Sequence, residues 1–190
     1  MKKNLQNALL LAMGLMTTVT FAQDWNVDSR TRIDMSGDND KMETSQRATL
    51  SATWGGSDWG IHLSSDVNYM LGDRAMNGNA DISMNVYEAY ASTDLMGYAN
   101  VTVGRQALNY GSGALMSSND WGTNRTTWDG FKIGLDLDMA DVTIGYASRN
   151  GGTIEEVDAS NGSMWLNAGG EFSGWNVNLV YMTRTIGGES

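Results

Sequence analysis

The chain contains no cysteine, no proline and a single histidine among its 190 residues. Without cysteine it can form no disulfide, no thiolate nucleophile and no cysteine-ligated metal site. Basic residues are scarce as well: 12 lysines and arginines stand against 22 acidic residues, which gives a formal net charge of −10. An acidic chain repels the phosphates of nucleic acid, so we expect no nucleic-acid partner. We also expect no cofactor and no metal centre, because no motif for either occurs.

Long apolar runs are missing too, except at the N-terminus. Two lysines precede an apolar run over residues 8–19, and the small residues Thr20 and Ala22 follow it. A charged start, a short apolar stretch and a small-residue cleavage site are typical of a secretory signal peptide. The sequence therefore predicts a cleaved signal peptide over residues 1–22, export from the cytoplasm, and a mature domain over residues 23–190. No later stretch approaches the roughly 18 apolar residues that a membrane-spanning helix needs.

Beyond the predicted signal peptide, apolar and polar residues alternate at period two, which indicates β-strands. The first run shows the pattern well, with Trp25, Val27 and Ile33 on one parity and aspartates and arginines on the other. We expect an all-β fold of about nine antiparallel strands. The predicted strand runs are 25–35, 45–54, 59–69, 84–95, 98–108, 127–139, 141–149, 163–172 and 174–185.

The predicted connections alternate between long and short along the chain. The long ones cover 36–43, 71–83, 109–126 and 150–162, and the short ones lie at 55–58, 96–97, 140 and 173–174. An up-and-down barrel in a bacterial outer membrane has this order, with tight turns on the periplasmic side and long loops outside. Tilted strands of about ten residues also cross a bilayer. Alternation alone leaves open a soluble β-sandwich, in which the apolar face would point to a core.

The positions of the aromatic residues favour the membrane barrel. Trp25, Trp54, Trp59, Phe172 and Trp175 share the apolar parity and lie beside short connections or at the start of the first strand. We expect them to form a girdle at one membrane interface, where amphipathic rings prefer to lie. Bacterial single-chain barrels have even strand numbers, whereas nine strands are predicted here. We therefore expect the transmembrane barrel to be incomplete in this chain.

The polar parity collects charged residues of both signs. Its basic members are Arg30, Arg32, Arg47, Lys132, Arg149 and Arg184, and its acidic members include Asp66 and Glu88. Opposite charges that face one lumen create a transverse field that can select solutes. We expect the basic residues to line the pore, although the pattern equally allows paired charges that only brace the wall.

Two features could suggest catalysis or phosphate binding, but neither has the motif that this would require. His62 shares a strand and a parity with Ser64 and Asp66, but spacing along one strand gives no attack geometry, and no Gly-x-Ser-x-Gly elbow occurs. We expect a lumen-facing histidine and no enzyme. Gly104-Arg105-Gln106 lacks the lysine and the following helix of a phosphate loop. Strict alternation turns Arg105 toward lipid, whereas a bulge at Gly104 would turn it into the pore mouth, and the sequence does not decide between them.

Four motifs carry a family resemblance. "TSQRATLSATW", "MNVYEAYAS", "VTVGRQALNYGSG" and "WGTNRTTWDGFKIGLD" resemble, in order and spacing, the alginate-export-like family of outer-membrane porins over residues 44–150. The resemblance implies a large monomeric barrel, lined by arginines and acids, that passes anionic polysaccharide or small solutes by diffusion. By motif position it implies lumen or constriction roles for Arg47, Glu88, Arg105 and Arg125.

The sequence thus predicts an outer-membrane porin for small or anionic solutes, among them saccharides. Its expected partners are outer-membrane lipid, the solutes in its lumen and, during insertion, the barrel-assembly machinery. Two alternatives stay open at this point: a non-enzymatic surface barrel that has a structural role or binds a ligand, and a secreted soluble β-sandwich that binds carbohydrate.

Overall fold

A computed structural model describes residues 22–35, 43–71, 82–122, 125–137, 139–150 and 162–184. These residues form nine β-strands, whose bounds are β1 Ala22–Asp34, β2 Glu43–Gly55, β3 Trp59–Met70, β4 Ser83–Leu95, β5 Ala99–Gln106, β6 Thr127–Leu137, β7 Ala140–Asn150, β8 Gly162–Phe172 and β9 Trp175–Arg184. None of the described residues belongs to a helix that could span a bilayer. The predicted signal peptide falls outside the described residues, apart from Ala22.

The nine strands form a single antiparallel sheet in which every strand pairs with its neighbours in sequence. This confirms the predicted all-β, up-and-down fold, and the predicted runs match the observed strands to within three residues at each end. Long and short connections alternate as expected. Among the described residues β1 and β9 are both edge strands and do not pair with each other, so the sheet is open.

The short connections have the backbone geometry that tight hairpins require. Ser173 and Gly174 join β8 to β9, and both have positive φ, 51° and 82°. Two consecutive residues with positive φ form the mirror-image turn whose twist matches that of paired strands. Met96 and Gly97, between β4 and β5, repeat the pattern with φ of 57° and 76°.

Strand β4 contains a bulge. Ser64 of β3 lies opposite Glu88, and the next residue, Ser65, lies opposite Val86, so Tyr87 has no partner in the register. An extra residue of this kind breaks the alternation locally and re-aims side chains. Tyr87 and Glu88 consequently face the same side of the sheet although they are adjacent in sequence.

The connection 107–126 between β5 and β6, hereafter the long loop, contacts both edges of the sheet. Gly111 approaches Asn178 of β9, and the carbonyl of Asp120 accepts a hydrogen bond from Arg30 of β1. A flat sheet would separate β1 from β9 by about 38 Å. The loop chain from Gly111 to Asp120 covers at most about 24 Å, because a hydrogen bond from Tyr110 N–H to the Met116 carbonyl folds it back. The sheet therefore curves around the loop.

Candidate functional site

The two faces of the sheet are the reverse of those in a soluble protein. The outer, convex face carries the predicted apolar residues, and they are exposed: Val27 is 69% and Leu179 63% accessible. The concave face carries buried polar side chains, among them Arg47 at 5% and Asp66 at 4% accessibility. Burial of a charge is tolerated only where partners are supplied. The concave face, with the long loop upon it, is therefore the candidate functional site.

The predicted aromatic residues lie on the convex face, at the end of the sheet that carries the short connections. They are Trp25, Trp54, Trp59, Phe172 and Trp175. Trp25 and Trp54 pack edge to face across β1 and β2, with ring centroids 5.9 Å apart. Trp175 is 76% exposed. The rings thus lie near the short-connection ends of their strands, and the girdle at a membrane interface stays a prediction.

The first half of the long loop is held on the concave face by apolar packing. The buried cluster consists of Leu108, Met116, Trp128, Ala147 and Trp165. Leu108 and Met116 come from the loop, and the other three come from inward positions of β6, β7 and β8. Tyr110 packs against this cluster, and burial raises the pKa of its phenol. The hydrophobic core of the described chain is thus the contact between the loop and the inside of the sheet.

The second half of the loop is held by Arg125. Its Nε donates to Asp66 Oδ2 at 2.9 Å, its Nη2 bonds to Asp66 Oδ1, and the same Nη2 donates to Thr49 Oγ1 at 3.1 Å. The guanidinium carbon lies 3.2 Å from the ring centre of Tyr87. The side chains of Arg125 and Asp66 are 10% and 5% exposed. A two-pronged, buried pair stacked on an aromatic ring fixes this end of the loop in one orientation.

Two further arginines contact the loop through its main chain. Arg30 Nη1 and Nη2 donate to the carbonyls of Asp120 and Gly122, the latter at 3.0 Å. Arg47 Nη1 donates to the same two carbonyls, at 3.1 and 3.2 Å. Arg30 and Arg47 lie directly opposite each other across β1 and β2. Two like charges are therefore brought together over two neutral acceptors.

A second polar group lies on β2, β3 and β4, nearer the short connections. His62 Nδ1 is 2.8 Å from Thr53 Oγ1, and its Nε2 is 3.6 Å from Glu88 Oε2. The His62 ring stacks on Tyr90 with centroids 5.0 Å apart. Glu88 Oε1 accepts a hydrogen bond from the N–H of Ala107, the first residue of the long loop, at 3.0 Å. His62 thus lies on the polar face, as expected, and Glu88 holds the start of the loop.

The remaining predicted pore residues occupy the polar face without joining the arginine cluster. Arg32 forms a loose pair with Asp34 at 3.9 Å, and both are about half exposed. Lys132 lies opposite Thr102, and Arg184, at the end of β9, lies opposite buried Ser163. Arg149 pairs with Trp128 in the β6–β7 register, but its side chain lies outside the description.

Arg105 lies on the other face, contrary to its assignment to the pore. The β5 register runs without a shift past Gly104, so Arg105 shares the convex side with Val103 while Gln106 is buried on the concave side. Arg105 forms a two-pronged ion pair with Asp129 at 2.8 and 3.0 Å. Gly104 does not bulge; its φ of 128° lets the chain pass close to the backbone of Ala89 in β4.

Several residues of the site were not predicted. The carbonyls of Asp120 and Gly122 and the ring of Tyr87 were not assigned a role, although Tyr87 and Gly122 lie within the quoted motifs. The inward folding of the loop did leave a signal. Leu108 and Met116 are large apolar residues in a loop otherwise rich in glycine, serine and asparagine, and such residues need a surface on which to be buried.

Comparison with models of known protein families finds no match to this chain, and no curated protein matches it. The resemblance to the alginate-export-like family therefore stays a prediction. Among the described residues, no three His, Asp or Glu side chains are grouped so that they could hold a metal ion.

Proposed function

We propose that this chain forms part of the wall of an outer-membrane β-barrel channel, through which small or anionic solutes, saccharides among them, pass by diffusion. The proposal rests on how apolar and polar side chains are distributed between the two faces of the sheet. Large apolar side chains cover the convex face, and the concave face carries buried polar side chains, the charged Arg47 and Asp66 among them. A sheet with an apolar exterior and a polar interior is stable where lipid lies outside and water within.

A soluble carbohydrate-binding sandwich explains these observations less well. A sandwich covers the apolar face of each sheet with a second sheet about 10 Å away. The described strands all belong to one sheet, and their apolar face stays bare. Strand length supports the same preference. Eight of the nine strands have 10 to 13 residues, which is enough to cross a bilayer when tilted.

The concave face supports passage of anions rather than cations near the long loop. Three guanidinium groups, those of Arg30, Arg47 and Arg125, meet there with the carboxylates of Asp66 and Asp120. The loop lies across this face and narrows whatever passage the barrel encloses. Rings of charge at a narrow point govern ion selectivity. The partners proposed with this function are outer-membrane lipid, the passing solutes and the barrel-assembly machinery that inserts such proteins.

The membrane part of the proposal is tested by the behaviour of the purified mature chain. We expect it to need detergent, to insert into lipid vesicles and to become protected there from protease added outside. A chain that stays monomeric and soluble without detergent would contradict the membrane hypothesis and favour the soluble β-sandwich.

The channel part is tested in vesicles and planar bilayers. We expect vesicles that contain the protein to swell in arabinose. We also expect the reversal potential in a potassium chloride gradient to depend on the positive charge of the arginines on the concave face. Arg47→Ala should shift the reversal potential toward cation selectivity, because one positive charge leaves the concave face. Arg105→Ala is the control and should leave it unchanged, because Arg105 lies on the convex face. Insertion without swelling or current would leave only a structural barrel.

A further inference from the structure

A row of three polar side chains crosses β1, β2 and β3 on the concave face. Arg30 lies opposite Arg47, and Arg47 lies opposite Asn68. Arg47 and Asn68 are 5% and 7% exposed. Within the described part of the chain, Nε of Arg30, Nε of Arg47 and Oδ1 of Asn68 are buried without a hydrogen-bond partner. Buried polar atoms are nearly always paired, so three unpaired atoms in one row mark an incomplete site.

The groups that do contact this row are weak partners for it. Among the residues that the structure describes, the two guanidinium groups donate to the carbonyls of Asp120 and Gly122. Arginine bonds most strongly to a carboxylate, which carries the opposite charge and accepts two parallel hydrogen bonds. The neutral carbonyls carry no full charge to offset the two facing guanidinium groups, and like charges directly opposite in a sheet repel.

We propose that the row Arg30–Arg47–Asn68 binds the carboxylate of a small hydroxymonocarboxylate, and that the carbonyls of Asp120 and Gly122 occupy the row when no such solute is bound. The solute and the long loop then compete for the same arginines, and binding frees the middle of the loop from the wall. This inference rests on the proposed channel, in which it makes the loop a solute-sensitive constriction.

The charges indicate a single negative charge on the solute. The charged groups that act on Arg47 are Arg30, Arg125, Asp66 and Asp120. Counted with Arg47 itself, these described groups are three positive and two negative, an excess of one positive charge. A monocarboxylate restores balance, whereas a phosphate dianion overshoots it.

The unpaired acceptor of Asn68 indicates that the solute also carries a hydroxyl group. Oδ1 of Asn68 can only accept, so it needs a donor that a carboxylate cannot supply. A hydroxyl next to the carboxylate supplies it, while the carboxylate oxygens accept from the arginines. A site with buried groups awaiting a hydroxyl discriminates against an analogue that lacks one.

The test uses a spin label on the loop. The chain has no cysteine, so Trp121→Cys gives a single labelling position. Residue 121 is 85% exposed and lies between Asp120 and Gly122, whose carbonyls accept from the arginines. The labelled full chain in detergent is titrated with sodium lactate, sodium propionate, glycerol, and sodium chloride at matched ionic strength. We expect lactate to mobilise the label with a saturable midpoint, propionate to need several-fold higher concentration, and glycerol and sodium chloride to do little.

Variants of the labelled chain test whether the lactate response depends on the row Arg30–Arg47–Asn68 or only on the positive charge of the concave face. Arg47→Gln should make the label partly mobile without lactate, because Arg30 still holds the loop, and should raise the lactate midpoint of the remaining response about tenfold or more. Arg32→Gln is the matched control: it removes the same charge from the same face of β1 at a residue whose described partner is Asp34, and should leave the lactate response intact. If Arg47→Gln does not fold, as judged by circular dichroism, Arg30→Gln takes its place with the same expectation.

Three outcomes would overturn the proposal: no saturable response to lactate, an equal response to sodium chloride, or an unchanged lactate midpoint in both row variants. An equal response to propionate would remove the hydroxyl from the assigned ligand. Swelling of vesicles in arabinose is measured separately. A chain that swells vesicles but ignores lactate loses only this inference, and one that binds lactate without swelling vesicles loses only the channel.

Discussion

Replacing Arg125 by alanine should destabilise the protein by about 3 kcal/mol and release the end of the long loop. Arg125 makes a two-pronged pair with Asp66, donates to Thr49 and stacks on Tyr87. Alanine leaves the Asp66 carboxylate, whose side chain is only 5% exposed, with Thr49 as its one described hydrogen-bond donor, at 2.6 Å.

The magnitude follows from the burial of the pair. Removing one partner of a buried ion pair costs about 3–5 kcal/mol, whereas a surface pair contributes at most about 1 kcal/mol. Neighbouring Asp120 is 63% exposed on its side chain, so water reaches the edge of the cluster and favours the lower value. The contacts with Thr49 and Tyr87 belong to the same group of residues, and their contributions do not add to this figure.

The assay is urea unfolding of the chain in lipid vesicles, followed by tryptophan fluorescence. Arg32→Ala is the control, because its pair with Asp34 is long and half exposed, and it should cost less than about 0.5 kcal/mol. A double-mutant cycle of Arg125→Ala with Asp66→Asn should give a coupling of about 2 kcal/mol. Coupling below about 0.5 kcal/mol, or equal effects of Arg125→Ala and Arg32→Ala, would refute the reasoning, since the pair would then be screened by water.

Three further predictions concern the sheet and the loop. Gly104→Ala should cost at least about 3 kcal/mol in urea unfolding, because φ is 128° and a Cβ would lie 2.3 Å from a carbonyl oxygen of β4; Gly97→Ala, in open space, should cost about 1 kcal/mol. Met116→Ala should speed proteolysis of the loop at least tenfold by removing about 3 kcal/mol of packing, while exposed Leu115→Ala should not; equal rates would contradict the apolar anchor. Ile144→Arg, on the convex face, should destabilise the vesicle-bound chain by about 2–4 kcal/mol, and a neutral effect would argue against lipid contact.

Strand order and pairing could be predicted from the sequence because one physical rule governs them. Side chains of a strand point alternately to its two faces, so an alternating run identifies both the strand and its apolar face. The alternation of long and short connections then leaves sequential antiparallel pairing as the simplest arrangement. Val27 and Leu179, at opposite edges of the sheet, are both exposed on the face to which the pattern assigns them.

The candidate site could be predicted only in part, because its decisive contacts are made by the backbone. Arg47 and Arg125 were identified as pore residues by their parity or motif. Their arrangement depends on where the long loop lies, and the acceptors for Arg47 are main-chain carbonyls, which every residue possesses. The sequence offered Leu108 and Met116 as a hint of burial, but no pattern specified the surface that would receive them.

Placing Arg105 in the pore required a bulge at Gly104, but β5 keeps its alternation and the bulge lies in β4 instead. The sequence offered Gly104 as the place where alternation could break, yet the break occurs at Tyr87, one strand away. There it turns two adjacent side chains inward, and each holds one end of the loop. Glu88 accepts from the N–H of Ala107 at the start, and Tyr87 lies beneath Arg125 at the end.

Without the bulge, only one of these two side chains would reach the concave face, and one end of the loop would lose its contact. Gly104 instead allows β5 to pass close to β4. This close approach does not break the alternation of β5, so Arg105 stays on the convex face. The break in alternation thus lies where the loop must be held at both ends, and a single sequence cannot reveal that need before the position of the loop is known.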